Sequence, residues 1–397
     1  MRHFALALAL GTCAMMTANA DSEVPADAVV AELPFLQVDE PNRIYVDLGP
    51  EGRPLNLFLD TGASHSVFTP LAARAAGVSV RALKNTPYRR QTRVGRDLQF
   101  WVDTRTSDTG SKTGWEYGLL GGNFLRDFVV ELDFSARTVR LIDPKRFEVP
   151  ASSRVADEAV LPMRAGSPRP VIEIGVGDRK LAVLLDTGAH VTAVLSGKAA
   201  KKVGIDAASL PAFGELGTAL GPMAVSLYEM PDLSIGNFHF AKVPVLVAPK
   251  GWYNAGGEAN DSVIGYDVIS RFLVRIDYPR ARLWLRRQSE KVPFLGVDYQ
   301  TTREAGVVLD PWGRNYVVSS VFPNTPAARL GLLAGDTLLK ERAGTAERMT
   351  LEEVLTAIKA GRPVRVARRM NDVWIDVDLP DDPLLSRGAA EADDDDD

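Results

Sequence analysis

The chain has few of the side chains that build metal sites, disulfides and covalent nucleophiles. Its 397 residues contain one cysteine, Cys13, and four histidines, His3, His65, His190 and His239, no two of them at ligand-like spacing. With one thiol there is no disulfide framework, and the histidines cannot furnish a zinc set, so no metal and no cofactor are expected. A Gly-x-Ser-x-Gly elbow and a phosphate-binding loop are also missing. Basic residues are outnumbered, 46 Lys and Arg against 51 Asp and Glu, for a net charge of −5, and basic runs stop at pairs such as Arg89-Arg90. That excludes a nucleic-acid-binding surface. Long apolar runs are lacking too. The one candidate, Phe4 to about Met16, is short for a bilayer and sits between Arg2-His3 and Ala18-Asn19-Ala20, which is the pattern of a secretory signal over residues 1–20. The expected mature chain is thiol-free, has no transmembrane segment, and is exported to the periplasm or secreted. Lipidation at Cys13 is the poorer alternative, because Thr12 precedes it.

What is present is a repeat. Asp-Thr-Gly-Ala occurs at residues 60–63 and again at 186–189, each time after an apolar run, Leu57-Phe58-Leu59 and Val183-Leu184-Leu185. Residues 43–64 align without a gap on 169–190, sharing Arg43/Arg169, Gly49/Gly175, Arg53/Arg179, Leu55/Leu181 and Leu59/Leu185. Residues 121–141 align on 265–285. The offset rises from 126 to 144 between the blocks, so the second copy holds 18 additional residues in its middle, expected in a loop or hairpin. A carboxylate on a tight turn ending a buried strand lies at the edge of a core. Two such turns related by symmetry bring Asp60 and Asp186 face to face, where one proton is shared between two acids.

Apolar runs and period-2 alternation, broken often by Gly and Pro, dominate residues 30 to 290, so this part reads as mostly β. Short helices are expected at 70–76, 123–127, 196–203 and 267–270, and the proline-rich stretch 155–170 reads as the link between halves.

These motifs resemble retropepsin-like aspartic proteases, in the bacterial exported, single-chain form. In that family each lobe supplies one Asp-Thr-Gly turn and a later apolar-apolar-Gly step, here Leu119-Leu120-Gly121 and Val263-Ile264-Gly265. The resemblance implies two acid-protease barrels in one chain, lobe 1 over 21–150 and lobe 2 over 151–292, and a monomer with a polypeptide substrate. It further implies that Asp60 and Asp186 activate a water to hydrolyse peptide bonds. Thr61 and Thr187 would interlock the two loops, with Gly62 and Gly188 beside them, and Ser64 would hydrogen-bond a carboxylate from outside. His190 stands where lobe 1 has Ser64: it either points to solvent or, if protonated, lowers the pKa of Asp186. Flap candidates are the hairpin from Gly214 to Tyr228, with Gly217 and Gly221, and in lobe 1 the stretch 86–104, with Tyr88.

From about Phe294 the character changes. Tyr316 to Val321, Pro323 to Ala328, Gly331-Leu332-Leu333-Ala334-Gly335-Asp336, a helix over 350–360 and alternation over 364–377 resemble a PDZ domain, expected over 293–383. The resemblance implies capture of an extended peptide or C-terminus, with Arg314, Asn315, Tyr316, Val317, Val318 and Ser319 at the groove. Residues 384–397 close in a block of aspartates, expected to be disordered. A competing reading of the whole chain is a peptide-binding scaffold of the cell envelope that has lost turnover.

Overall fold

Alternation of side chains builds the first barrel. In the strands Tyr45–Asp47 and Asn56–Leu59, Val46, Leu57 and Leu59 turn inward and are fully buried, as a half-buried strand requires. The computed structural model describes residues 23–36, 43–78, 87–102, 118–210, 212–218, 221–249, 262–288, 304–312, 315–321, 325–333, 335–339, 349–370 and 373–380. The expected signal segment, the acidic tail and Arg314 lie outside them.

The first barrel sheet runs in the order 45–47, 56–59, 118–120, 66–68, 97–102, 88–91. The second runs 171–176, 179–185, 262–264, 193–195, 238–247, 221–235, 212–218. Their registers superimpose. Phe58 pairs in parallel with Leu119, and Leu184, 126 residues on, pairs in parallel with Val263, 144 residues on. Both short helices that follow are capped alike. Thr69 accepts from the Ala72 amide ahead of Pro70–Ala75, and Ser196 from the Ala199 amide ahead of Gly197–Lys202, each hydroxyl satisfying an otherwise unpaired first-turn N–H.

Matching the ladders locates the 18 additional residues. The offset is 127 at Val78/Ile205, which make the same turn bond to Ala73 and Ala200. It is 140 at Tyr88/Tyr228 and 145 at Val102/Val247. Thirteen of the 18 therefore fall between Ile205 and Tyr228, in the hairpin Ala212–Thr218/Gly221–Ile235, as expected for an insertion. The same comparison corrects the lobe 1 flap. The hairpin Tyr88–Gln91/Asp97–Val102 corresponds to Gly221–Ile235/Phe238–Val247, not to the inserted hairpin. Tyr88 stacks on Phe100 against the barrel core, ring centroids 5.7 Å apart, and so belongs to the wall. Residues 79–86, which precede this hairpin, lie outside the described residues.

A third sheet joins the lobes, in the order 29–34, 138–142, 129–133, 272–277, 282–287, 158–162. At its centre Val129–Asp133 pairs antiparallel with Phe272–Asp277, Glu131 opposite Arg275, and every residue of the latter strand is buried. The stretch expected as a plain link is corrected here: Glu158–Pro162 is a strand of this sheet, paired with Arg282–Arg287. The connection shortens to 143–157. It is fastened to lobe 2 by the Val149 amide on Asp277 Oδ2 (3.1 Å), Arg282 on the Val149 carbonyl (2.9 Å) and Arg280 on the Pro144 carbonyl (2.6 Å).

Residues 304–380 form a separate five-stranded sheet, 307–312, 315–321, 337–338, 364–370, 373–379, with helices Pro326–Arg329 and Leu351–Lys359 over their own core of Val318, Leu330, Leu338, Ile358 and Val366. The Gly335-Asp336 turn is locked by buried Arg368, which donates to both Asp336 oxygens and to the Gly331 carbonyl. Tyr316 and Val317 pair with Pro311 and Asp310 on one side and with Leu338 and Thr337 on the other. A strand occupied on both sides cannot accept an added peptide strand. The expectation that Tyr316, Val317 and Val318 edge a peptide groove is therefore corrected. The strand Asn315–Val321 lies beside Ala212–Thr218 of the lobe 2 hairpin.

Candidate active site

Each Asp-Thr-Gly loop begins where a barrel strand ends, and the Gly step of the same lobe fixes it from below. The Asp60 amide donates to the Leu120 carbonyl (3.0 Å) and the Asp186 amide to that of Ile264 (2.9 Å). One residue on, the Gly122 amide reaches the Ala63 carbonyl (2.8 Å) and the Tyr266 amide that of Ala189 (2.7 Å). Strand and loop cross so closely that a Cβ on Gly121 would lie 2.5 Å from the His65 backbone, and one on Gly265 would lie 2.0 Å from the Val191 carbonyl oxygen. Only glycine permits this approach. The loops are pinned further by residues after each Gly step. Asn123 Oδ1 accepts from the amide and hydroxyl of Ser66, and Asp267 Oδ2 from the hydroxyl of Thr192.

Between the lobes the two threonines interlock. Thr61 Oγ1 donates to the Leu185 carbonyl (2.7 Å) and accepts from the Thr187 amide (3.0 Å). Thr187 Oγ1 donates to the Leu59 carbonyl (2.8 Å) and accepts from the Thr61 amide (3.1 Å). Both side chains are fully buried. Four bonds thus cross the symmetry axis, each hydroxyl donating once and accepting once.

The carboxyl groups of Asp60 and Asp186 lie within hydrogen-bonding reach of one another. Each rests against the glycine of the opposite loop. A Cβ on Gly62 would come within 2.3 Å of Asp186 Cγ, and one on Gly188 within 2.6 Å of Asp60 Cγ. Oxygens are held from their own loops: Asp60 Oδ1 accepts from the Ala63 amide (2.9 Å), and Asp186 Oδ1 from the Gly188 amide (2.8 Å). Withdrawal from water raises both carboxyls above the usual range, Asp60 the further. Asp60 is raised also by the charge of Asp186 and by their mutual hydrogen bond, while that same bond, the Gly188 and Ala189 amides and the Arg169 guanidinium favour the Asp186 anion. Burial and mutual repulsion disfavour a doubly ionised pair, and the two acids titrate as a unit.

Two expectations for the flanking residues change. Ser64 Oγ contacts His65 Nδ1 at 2.9 Å instead of a carboxylate. His190 is half-buried and accepts from Arg43 Nε of the other lobe. Burial, with the Arg43 charge second, pushes its pKa down to about 3, so it neither points to solvent nor carries charge beside Asp186. Arg43 and Arg169 are identities of the repeat, each a cation seventeen residues ahead of its Asp. In the inserted hairpin, Gly217 pairs with Pro222 and Thr218 with Gly221, so Gly217 and Gly221 flank its tip. Among the described residues no group of His, Cys, Asp and Glu could hold a metal ion, and no helix is long and apolar enough to cross a membrane.

Residues 172–268 match the aspartyl protease family model. Among solved structures, a retropepsin-like aspartic protease from Rickettsia conorii is 23% identical, covering 33% of this chain and 90% of its own, with a TM-score of 0.27. No curated protein matches the chain. The family match takes in one Asp-Thr-Gly loop and its Gly step, and residues 43–141 repeat both in the same register.

Proposed function

We propose that the chain is an aspartic endopeptidase in which Asp60 and Asp186 activate one water against a peptide carbonyl. The observation that carries this reading is the pair of carboxyls in mutual contact, raised by burial and held by the crossed threonines. The ionised member takes a proton from the water as its oxygen attacks, and the protonated member donates to the carbonyl oxygen as it becomes tetrahedral. Breakdown returns a proton to the leaving amine. Preorganisation by Thr61 and Thr187 removes the cost of aligning the acids at each turnover. The inserted hairpin, with Gly217 and Gly221 at its tip, serves as the flap on lobe 2.

Residues 293–383 are read as a PDZ-like module that engages substrate or regulates the flap beside it, and the protein as exported to the periplasm or the medium and working as a monomer. Neutral His190 and the fully interlocked loops favour the enzyme over a scaffold without turnover.

The test is cleavage of a diverse peptide library between pH 3 and 8 by wild type, Asp60→Asn and Asp186→Asn, with and without a statine-type inhibitor. Loss of cleavage in either variant and in the inhibited wild type is the expected result. A wild type that cuts nothing, or two variants that cut as well as it does, would overturn the reading. Deleting residues 294–397 should change the rate on long substrates and leave short peptides nearly untouched.

A further inference from the structure

One face of the lobe 1 sheet is a row of apolar side chains that crosses five strands. Tyr45 pairs with Phe58, Phe58 with Leu119, Leu119 with Val67 and Val67 with Trp101, and ladder partners share a face. Their chain neighbours Val46, Leu57, Leu120, Phe68 and Phe100 turn the other way, into the barrel core. The row fronts the opposite catalytic loop. Arg43 lies over the Phe58 ring, 5.3 Å from its centroid, and donates to His190, four residues beyond Asp186. At the far end Trp101 meets His65 edge-on, ring centroids 4.7 Å apart, and Ser64 Oγ contacts Nδ1 of that imidazole, five residues beyond Asp60. Phe58, Val67 and Trp101 are half-buried. Between the two loops the row therefore forms an aromatic shelf that still reaches solvent.

Lobe 2 repeats the row without rings. Val171 pairs with Leu184, Leu184 with Val263, Val263 with Val194 and Val194 with Leu246. Here the row is covered. Met223 and Val225, alternate residues of the strand Gly221–Ile235, join Val171, Leu184, Val194 and Val263 in one buried cluster, while Ala224 between them is exposed. That part of the strand belongs to the additional residues of lobe 2. The molecule thus shows what such a wall accepts: an extended chain that lays every second, apolar side chain on the row.

We propose that the lobe 1 row is a specificity-determining wall for an extended polypeptide with large apolar side chains at alternate positions, an aromatic one among them seated against Phe58 and Trp101. This rests on the proposed peptidase site. Rings at both ends of the shelf favour a ring between them, whereas the lobe 2 wall is already filled by Met223 and Val225. The two sides of the cleft therefore read different parts of the substrate.

The test uses pairs of extended peptides that differ in Phe or Ala at one of two alternate positions. Cleavage is compared between wild type, Phe58→Leu and Trp101→Leu, which give lobe 1 the leucines that lobe 2 has at 184 and 246. Binding of the same peptides to the full chain carrying Asp60→Asn is measured by calorimetry. Wild type should favour Phe over Ala at one position by about tenfold in kcat/KM, carried by KM, and the Asn variant should bind the Phe peptide more tightly by a similar factor. Each leucine variant should cut that ratio by about threefold or more. If Phe58→Leu fails to fold, half-buried Trp101→Leu decides. Equal handling of Phe and Ala peptides by wild type, or a preference unmoved in folded Trp101→Leu, would overturn the proposal. Phe-selective binding without cleavage would sink the peptidase reading alone.

Discussion

Glu131 and Arg275 occupy the same position in the two lobes, 144 residues apart, and face each other across the pseudo-two-fold axis. Arg275 Nε lies 2.6 Å from Glu131 Oε2 with both side chains buried. A residue on such an axis meets its own equivalent. Two copies of lobe 1 would bring two buried glutamates together and two copies of lobe 2 two buried arginines, so only the unlike pairing is neutral. Removing one partner leaves an uncompensated buried charge. Glu131→Gln should therefore cost about 3–5 kcal/mol in denaturant unfolding, the exchange Glu131→Arg with Arg275→Glu should recover only part of it because Arg140 Nη1 also lies 3.2 Å from Glu131 Oε1, and leucine at both should be near neutral.

Thr61→Val and Thr187→Val keep shape but remove a hydroxyl that makes two buried bonds. Each should cost roughly 2–4 kcal/mol, because a backbone amide and a carbonyl are left unsatisfied. Serine at either position should cost under about 1.5 kcal/mol, in the range of a small core truncation. In peptidase assays the loss should fall on kcat more than on KM, since alignment of the acids is what is disturbed.

Asp60 has a folded pKa raised well above its ordinary value, chiefly by burial. For an acid this sign means that the folded state prefers the protonated form. Its favourable contribution is complete below about pH 3.9 and is lost as pH rises toward the folded pKa. Asp60→Asn should match wild type in stability near pH 3 and exceed it by about 1–2 kcal/mol at pH 7, at the level of other function-for-stability exchanges. Chemical denaturation at the two pH values checks this.

His190 has the opposite sign. Its folded pKa of about 3 lies below the ordinary value near 6.5, so the unfolded chain binds the proton more readily, and stability present above pH 6.5 is lost as pH falls toward 3. His190→Gln, which retains an acceptor for Arg43 and cannot charge, should flatten the stability profile across that window. An unchanged slope would mean that the imidazole is not held neutral.

Where the sequence repeats itself, the fold could be read from it. Leu57/Val183 and Leu119/Val263 carry the same apolar pattern and enter the same ladders, and the Asp-Thr-Gly loops and Gly steps are short-range motifs whose geometry is local. What escaped depends on pairing between distant residues. Glu158–Pro162 contains a proline-flanked run that reads as a linker until Arg282–Arg287 lies beside it. Tyr88 sits in a hairpin whose length resembles a flap, and only the ladder to Asp97–Val102 shows it to be barrel wall. His190 is ambiguous in sequence because its state is set by burial in the folded chain and by Arg43, 147 residues away. Tyr316–Ser319 read as a groove edge because a strand alone does not reveal that Thr337–Leu338 will occupy its second side.

The connection over residues 143–157, tied down through Pro144 and Val149, has a consequence in mass action. Where two separate subunits each bring one acid, the working site is a bimolecular product that empties on dilution. Here the second loop is delivered at a fixed, high effective concentration by its own chain. Loss of the interlock would be a unimolecular opening, with a probability that does not change with the amount of protein, so specific activity should hold constant down to the lowest concentrations an assay can read.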